Sequence, residues 1–248
     1  GDWSSDVCSS DLWSPPPVSG RLRVLFPGDD AMRVCPETVY RWIYSSKPRR
    51  ERRARCLPRG HRRRRKHAGR RVSRFPIPGR VSIAERPPEA DDRSGFGHWE
   101  ADSVIGMGCD LHTEAERRTR FLMARVIPDK TAERSVGARL AMFAPLPAAA
   151  RLSVTHDNGT GFARHARLRD EPGMATYFAD PYSSWQRGGN ENRNGMIRRY
   201  LPKRTIIEPG MARELQEIVD ETDNRPMRAL GHRTPAEAFA DELPDLQL

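Results

Sequence analysis

Short apolar runs separated by turn-forming residues occupy most of the second half of the chain. Runs of this kind predict buried strands, whereas apolar residues at positions i, i+3 and i+4 predict helices with one buried face. The predicted strands are 99–105, 111–118, 120–127, 151–155 and 175–178. The second is the poorest match to a strand, because His112, Glu114 and Glu116 interrupt its apolar pattern. The predicted helices are 36–46, 131–143, 183–199 and 212–222, followed by a terminal helical turn.

Three strands followed by helices that alternate with strands are typical of a mixed α/β sheet with flanking helices. In such a sheet the ends of the first and fourth strands can lie side by side. The pattern therefore predicts that Asp102, in the first strand, lies near Asp157, directly after the fourth. A later helix would bring Glu191 to the same place.

The chain divides by composition into four segments. Residues 1–12, GDWSSDVCSSDL, resemble the translation of a sequencing-adapter oligonucleotide, and we expect them to be a non-native scar in place of the natural start. Residues 13–74 are expected to hold a partial helix-turn-helix module and a basic arm. Residues 75–96 form a proline-rich linker, and residues 97–248 form the core with its C-terminal helices.

The positive charge is concentrated in the basic arm. The formal net charge is +10, but residues 47–74 contain fifteen Lys or Arg and one acid, Glu51, so the rest of the chain is slightly acidic. A cationic arm on a nearly neutral body is typical of proteins that bind nucleic-acid phosphates with salt-dependent affinity. A solvated loop or localisation tract is the alternative. The arm residues expected to contact DNA are Arg62, Arg63, Arg64, Arg65 and Lys66.

The helix predicted at 36–46 has the form of a DNA-recognition helix. Val39, Trp42 and Ile43 form its apolar face, which leaves Arg41 available for DNA, and a Gly-Asp-Asp turn precedes it. Short helices of this kind occur in many folds. The arginine-rich segment that follows favours the second helix of a helix-turn-helix.

Cysteine usage and hydropathy limit the class of protein. The four cysteines are scattered and form no CxxC pair, which argues against a zinc finger and favours a reducing compartment. No apolar run approaches the ~20 residues that cross a bilayer. The chain is therefore expected to be cytoplasmic, without a membrane partner.

The three acids Asp102, Asp157 and Glu191 have no cluster of His or Cys beside them. Ligand sets made of oxygen suit hard cations such as Mg²⁺. Two such ions, about 4 Å apart, can clamp the attacking and leaving oxygens of a phosphodiester. The sequence thus predicts metal-dependent phosphoryl transfer on DNA with two Mg²⁺ ions, for which Mn²⁺ could substitute. Arg198, on the same helix face as Glu191, is expected to contact phosphate; an ordinary solvated helix is the alternative.

Several longer motifs resemble bacterial insertion-sequence transposases of the IS30 family. They are GHWEAD, FADPYSSWQRGGNEN, NRPMRALGHRTPAEAF and MRVCPETVYRWIY, together with the 34-position step from Asp157 to Glu191. The resemblance covers about residues 14–239. It implies a ribonuclease-H-like, retroviral-integrase-like core with an Asp-Asp-Glu triad, next to a helix-turn-helix region.

The resemblance also implies roles for individual residues. Asp102, Asp157 and Glu191 would be the catalytic metal ligands. His156 would either orient a ligand or, more in keeping with the family, pack in the core. The residues that would line the DNA end are Trp185, Gln186, Arg187, Asn190 and Asn192.

The leading hypothesis is a transposase that cleaves its terminal inverted repeats and joins them to target DNA, acting as a homo-oligomer. One alternative is a ribonuclease-H-like nuclease that only hydrolyses. Another is a catalytically inactive DNA-binding regulator. The polar residues of the second strand, and Gly161 where the family has an acid, keep this last alternative open.

Overall fold

The structure, a computed structural model, describes residues 15–44, 77–180 and 183–243. The arm residues 62–66 and the adapter-like residues 1–12 lie outside these ranges. The chain divides into two compact units, which are described separately. The first comprises residues 1–73 and 224–235, and the second comprises residues 74–223 and 236–248.

The described residues form helices and strands that match most of the sequence pattern. The helices are α1 (Pro15–Leu25), α2 (Pro36–Tyr44), α3 (Pro88–Asp91), α4 (Ala132–Phe143), α5 (Ala166–Asp170), α6 (Gly188–Tyr200), α7 (Ala212–Asp223) and α8 (Pro235–Glu242). The strands are β1 (His98–Val104), β2 (Met107–Gly108), β3 (Asp110–Glu116), β4 (Leu122–Ile127), β5 (Ser153–His156), β6 (Ala175–Phe178) and β7 (Ile206–Ile207). All five predicted strands are confirmed, as β1, β3, β4, β5 and β6. The short pair β2 and β7 has too few residues to give a periodic signal.

The second unit is built on one five-stranded mixed sheet in the order β4-β3-β1-β5-β6. Strand β3 is antiparallel to both of its neighbours, β4 and β1. Strand β5 is parallel to β1, and β6 is parallel to β5. This order confirms the predicted mixed α/β sheet with flanking helices. It also places the ends of β1 and β5 side by side, as the sequence pattern predicts.

Hydrophobic cores cover both faces of this sheet. On one face, Trp99 and Val154 pack with Phe143 of α4 and Phe239 of α8. On the other face, the buried residues Val104 and Leu111 pack with the apolar sides of α6 and α7. Because side chains alternate along a strand, β1 contributes Trp99 and Ala101 to the first core and Val104 to the second. Its remaining inward positions on the second face, Glu100 and Asp102, are acidic.

Strand β3 forms in spite of its polar residues, and every residue in it is buried. Glu116, near its end, accepts hydrogen bonds from the backbone N–H groups of Gly97 and Thr119, at 3.2 and 2.6 Å, and from the Thr119 hydroxyl at 2.8 Å. A buried carboxylate is tolerated where donors surround it. The polar residues in 111–118 are therefore compatible with a buried strand, because their side chains form hydrogen bonds within the protein.

His112 and Glu114 of β3 belong to a buried network on the face of the sheet that α4 covers. Arg139 of α4 donates to Glu114 at 3.0 Å and to the ring of His156 at 2.9 Å, and His112 contacts Glu114 at 2.9 Å. The His156 ring stacks on Phe162 with centroids 4.9 Å apart. Burial, and then the Arg139 charge, holds the pKa of His156 well below its ordinary value. The packing alternative for His156 is thereby confirmed.

In the first unit, α1 and α2 pack against each other around a small core of Val18, Leu22, Met32 and Val39. Trp42 is partly buried against this core, as its place on the apolar face of the predicted helix requires. Helix α1 is not apparent from the sequence, because prolines occupy its first three positions and obscure the helical pattern. The two helices and the turn between them agree in form with a helix-turn-helix, which remains a prediction.

None of the described helices is both long and apolar enough to cross a membrane. The longest, α6, has 13 residues, whereas a spanning helix needs ~20.

Candidate active site

The register of β1 and β5 places two of the three predicted carboxylates next to each other. His98 pairs with Ser153, and Glu100 pairs with Thr155. Two residues further along these parallel strands, Asp102 and Asp157 therefore lie at the same level of the sheet. The juxtaposition follows from the strand pairing alone.

Arg187 contacts both carboxylates. Its Nη1 lies 3.8 Å from Asp102 Oδ1, and its Nη2 lies 3.6 Å from Asp157 Oδ2. Nη1 also donates a 3.0 Å hydrogen bond to the backbone oxygen of Ala101. Because two neighbouring carboxylates repel each other, a shared cation stabilises the pair. The space beside the Asp102 and Asp157 carboxylates, where the Arg187 guanidinium lies, therefore favours a positive charge.

The side chain of Asp102 is largely buried, with about 23% of its surface exposed. Burial raises the pKa of Asp102, and the neighbouring Asp157 charge also raises it, while Arg187 lowers it. The carboxylate is oriented by two donors: the Ser103 backbone N–H at 2.8 Å and the Asn194 side-chain amide at 2.9 Å. Two fixed donors on a rigid strand hold this carboxylate in one orientation, as a metal ligand requires.

The turn after β5 fixes Asp157. Its Oδ1 accepts a 2.7 Å hydrogen bond from the Gly159 backbone N–H, and the Asn158 amide donates to the oxygen of Ala179 at 2.8 Å. An aspartate that accepts from the N–H two residues later closes an Asx turn. The Asp157 side chain remains about 39% exposed, so it can reach a ligand outside the sheet.

Glu191 lies on the first turn of α6, and its side chain is exposed. The predicted helix over 183–199 is split: residues Ser184–Arg187 form a 3₁₀ turn, and the α-helix begins at Gly188. Asn194, which binds Asp102, is three positions after Glu191, so both lie on the same face of α6. Position 191 therefore lies on the side of α6 from which Asn194 contacts Asp102. Within the described ranges, no three His, Cys, Asp or Glu side chains are already close enough together to hold a metal ion.

The donor chemistry nevertheless fits a hard divalent cation. Asp102 within β1 and Asp157 directly after β5 would supply oxygen ligands, and the Arg187 guanidinium contacts both carboxylates. Glu191 would supply the third carboxylate from α6.

A buried ion pair fixes the far side of α6. Arg193 donates to Asp223 of α7, and the same carboxylate accepts from the Leu122 backbone N–H at 3.1 Å. Burial raises the pKa of Asp223 to about 7, and Arg193 opposes that shift. Because the carboxylate also accepts these hydrogen bonds, we assign it as ionised. The helix that carries Glu191 is thus tied to both β4 and α7.

Asn190, expected to line the DNA, has a different environment in the structure. It is fully buried. Its backbone N–H donates to Glu100 Oε2 at 2.9 Å, and its side-chain amide donates to the Glu100 backbone oxygen at 2.7 Å. The Thr113 hydroxyl donates to Asn190 Oδ1 at 3.3 Å. With its hydrogen-bonding groups engaged in the protein, Asn190 joins α6 to the sheet and does not face a ligand.

The other residues expected at the DNA differ in their contacts and in their exposure to solvent. Gln186 exchanges two hydrogen bonds with Asp180, at 2.8 and 3.0 Å. Asn192 is exposed on α6, and Trp185 lies within the 3₁₀ turn. Arg198 is half-buried and donates to the backbone oxygen of Ile105.

In the first unit, the Arg41 side chain is about 82% exposed. It lies 3.6 Å from Glu37 on the same helix. An exposed pair of this kind is weak, so Arg41 remains available to a ligand.

Glu100 was not singled out from the sequence. It occupies the fourth position of GHWEAD, two residues before Asp102, and alternation along β1 puts both on the same face of the sheet. An acid at a position flanked by core residues was the signal that could have identified it.

Comparison with known proteins gives a consistent set of relatives. The chain is 37% identical over 236 residues to the transposase for insertion sequence element IS1086 of Cupriavidus metallidurans, covering 93% of this chain and 69% of that protein. It is 35% identical over 234 residues to the transposase InsI for element IS30A of Escherichia coli, covering 91% and 60%. It is 34% identical over 230 residues to the transposase for element IS4351 of Bacteroides fragilis, covering 92% and 69%. The chain thus spans between three fifths and seven tenths of the length of these proteins.

No protein-family model matches the chain. Among solved structures, the catalytic core domain of BIV integrase is similar with a TM-score of 0.47 and 19% identity, over 60% of this chain and 96% of that domain.

Proposed function

Because the chain belongs to the IS30 family of insertion-sequence transposases, we propose that it cleaves DNA at the ends of a mobile element and joins those ends to target DNA. The observation that carries this proposal is the pair Asp102 and Asp157 at one level of the sheet, with a shared cationic contact. Membership of the family leads us to expect cleavage and joining of DNA, and the Asp102–Asp157 pair is where we propose that this reaction occurs.

Asp102, Asp157 and Glu191 are the residues that would hold the divalent metal, which we propose to be two Mg²⁺ ions, replaceable by Mn²⁺. When bound, such ions activate water and stabilise the charge that develops on a phosphodiester. The protein contributes fixed ligand geometry: Asp102 is oriented by Ser103 and Asn194. Rigid elements are needed because an error of about 1 Å weakens a site of this kind severely.

The groups around the carboxylates suit a polyanionic substrate. Arg187 lies between the carboxylates, and Asn192 is exposed beside Glu191 on α6. We propose that these side chains, with Gln186, Trp185 and Arg198, contact the DNA end. Arg187 would balance both the carboxylates and the phosphate that approaches them.

Binding of DNA outside the catalytic core is assigned to the arm and to α2. The arginine-rich residues 62–66 would neutralise phosphates without regard to base sequence, and the exposed Arg41 would lie at the DNA surface. The proposed partners are the terminal inverted repeats and target DNA, and the active complex is a homo-oligomer that works in the cytoplasm.

The experiment that tests this proposal is a strand-transfer assay with the full chain. A labelled duplex carrying the element's terminal repeat is incubated with supercoiled plasmid and MgCl₂ or MnCl₂. We expect 3′-end cleavage followed by covalent joining of the label to plasmid, and loss of both in Asp102→Asn. Cleavage without joining would instead support a hydrolytic nuclease, and binding with neither product would support an inactive regulator.

A further inference from the structure

We propose that Glu100 is a positioning residue: its buried carboxylate fixes the first turn of α6, which carries Glu191, against β1, which carries Asp102. This inference rests on the proposed function, since it assigns a role within that reaction. Glu100 itself has no contact with DNA to make, because it is only 1% exposed.

The carboxylate of Glu100 supplies the acceptor that the start of α6 lacks. Backbone N–H groups in the first turn of a helix have no partner within the helix. The residue before α6, Arg187, makes no side-chain capping bond. Glu100 Oε2 accepts from the Asn190 N–H at 2.9 Å instead, and a negative charge at this end of a helix is also favoured by the helix dipole.

The same junction is reinforced by side-chain contacts. The Asn190 amide donates to the Glu100 backbone oxygen at 2.7 Å. The Thr113 hydroxyl lies 3.3 Å from Asn190 Oδ1 and 3.4 Å from the backbone oxygen of Asp102. The residue that is clamped, Asn190, immediately precedes Glu191. Glu100, which holds Asn190, is two positions before Asp102 and lies on the same face of the sheet. The junction therefore sets the separation of two catalytic carboxylates.

The other oxygen of Glu100 is held by Arg117. Arg117 Nη1 donates to Glu100 Oε1, and its Nε donates to the backbone oxygen of Ala90 at 2.6 Å. A buried charge is costly unless it is paired and fully hydrogen-bonded. Oε1 accepts a hydrogen bond from Arg117, and Oε2 accepts one from the Asn190 backbone N–H. A glutamine side chain has a single acceptor oxygen, so it could accept only one of these two hydrogen bonds.

Gly189 shows how closely α6 approaches this carboxylate. A Cβ added at Gly189 would lie 3.0 Å from Glu100 Oε2 and 3.4 Å from its Cδ. A methyl group at this position would crowd the carboxylate, so either the Glu100 side chain or the first turn of α6 would have to shift by a few tenths of an ångström. By contrast, a Cβ at Gly195, on the same helix, would meet nothing within 4 Å.

The first test compares Glu100→Gln with Glu116→Gln. Glu116 is also a 1%-exposed carboxylate of the sheet, but its acceptor bonds go to Gly97 and Thr119, away from α6. We expect Glu100→Gln to need at least about tenfold more Mn²⁺ for half-maximal cleavage of a terminal-repeat duplex, and the amides of residues 189–192 to exchange faster with solvent. Glu116→Gln should lower the thermal midpoint while changing the Mn²⁺ requirement less than about threefold.

The second test adds a methyl group without removing any charge. Alanine is normally better than glycine in a helix, so Gly189→Ala and Gly195→Ala are both compatible with a folded α6. We expect Gly189→Ala to raise the Mn²⁺ requirement at least about fivefold and Gly195→Ala to leave it unchanged. This pair keeps the proposal testable if Glu100→Gln fails to fold.

The positioning role is overturned if Gly189→Ala matches Gly195→Ala, or if Glu100→Gln, when folded, matches Glu116→Gln in Mn²⁺ requirement. It is also overturned if amide exchange at residues 189–192 is unaltered in Glu100→Gln. Asp102→Asn separates these results from failure of the proposed function. If Asp102→Asn still cleaves DNA, the proposed function is wrong, whereas the exchange rates of the Glu100 variant report on the junction without reference to catalysis.

Discussion

Asp102 and Asp157 lie at the same level of two parallel strands, and the guanidinium of Arg187 contacts both carboxylates. The pairing of β1 with β5 alone brings the two carboxylates to the same level. Helix α6 then adds Asn194 as a donor to Asp102 and carries Glu191 on the same face. The candidate site is therefore a property of one strand pair and one helix.

The shared cation gives a prediction about metal binding. Arg187→Gln should lower the free energy of unfolding by about 1–2 kcal/mol in metal-free buffer, because Asp102 and Asp157 then repel each other without a charged partner. Added Mn²⁺ should restore the thermal midpoint of this variant more than it raises that of the unmodified protein. Differential scanning fluorimetry with and without MnCl₂ measures both effects. Equal metal-induced shifts in the two proteins would show that Arg187 and the metal do not occupy the same electrostatic position.

The buried network on the face of the sheet that α4 covers predicts a large loss of stability from one substitution. Arg139→Met should cost about 3–5 kcal/mol, because it leaves the buried Glu114 carboxylate without its charged partner. Adding Glu114→Gln to that variant should recover part of the loss. The matched control is Arg167→Met, at a half-exposed pair with Glu171, which should cost less than about 1 kcal/mol. Urea unfolding measures all three, and a small loss for Arg139→Met would contradict the network.

Two buried histidines besides His156, namely His98 and His165, predict a dependence of stability on pH. Burial lowers the pKa of both His98 and His165 in the folded protein. The unfolded chain, with histidine pKa values of ~6.5, therefore binds more protons than the folded protein as the pH falls through that value. These two residues favour the folded state fully above ~6.5 and progressively less below it. The double variant His98→Gln, His165→Gln should lose less unfolding free energy between pH 7.5 and 5.5 than the unmodified protein. Identical losses in urea titrations at the two pH values would refute this assignment.

The basic arm gives a prediction from sequence alone. Replacing Arg62, Arg63, Arg64 and Arg65 with alanine should weaken binding to all DNA sequences alike. Each lost phosphate contact should reduce the slope of log affinity against log salt by about 0.9. Fluorescence anisotropy at several salt concentrations, with terminal-repeat and scrambled duplexes, measures both quantities. A loss confined to one duplex would mean that the arm reads bases.

The strand pattern of the core could be predicted because apolar runs and turn residues specify it locally. Strand β3 was harder to assign, since its polar residues are stabilised by partners such as Arg139 of α4, distant in sequence. Helix α1 was missed because its prolines satisfy the first helical turn but hide its periodicity.

The candidate site was predictable in part for the same physical reason. Strand order brings Asp102 to Asp157, and this follows from the order of elements. The contacts of Arg187, Asn190 and Glu100 depend on how α6 approaches β1, which no periodicity encodes. The family resemblance implies a place for Asn190 at the DNA, whereas in the structure it is buried against the sheet.

The most direct test of the account is the single-turnover rate of terminal-repeat cleavage in Asp102→Asn, Asp157→Asn and Glu191→Gln. Asp170→Asn, at an exposed carboxylate on α5, is the control. Each of the three variants removes the charge of a proposed metal ligand and keeps the side-chain volume, so each should cleave at least about 100-fold more slowly, a loss of about 2.7 kcal/mol in transition-state stabilisation. DNA affinity should change less than about threefold, and the control should cleave normally. Cleavage at more than about a tenth of the unmodified rate by any one of the three would remove that residue from the catalytic set.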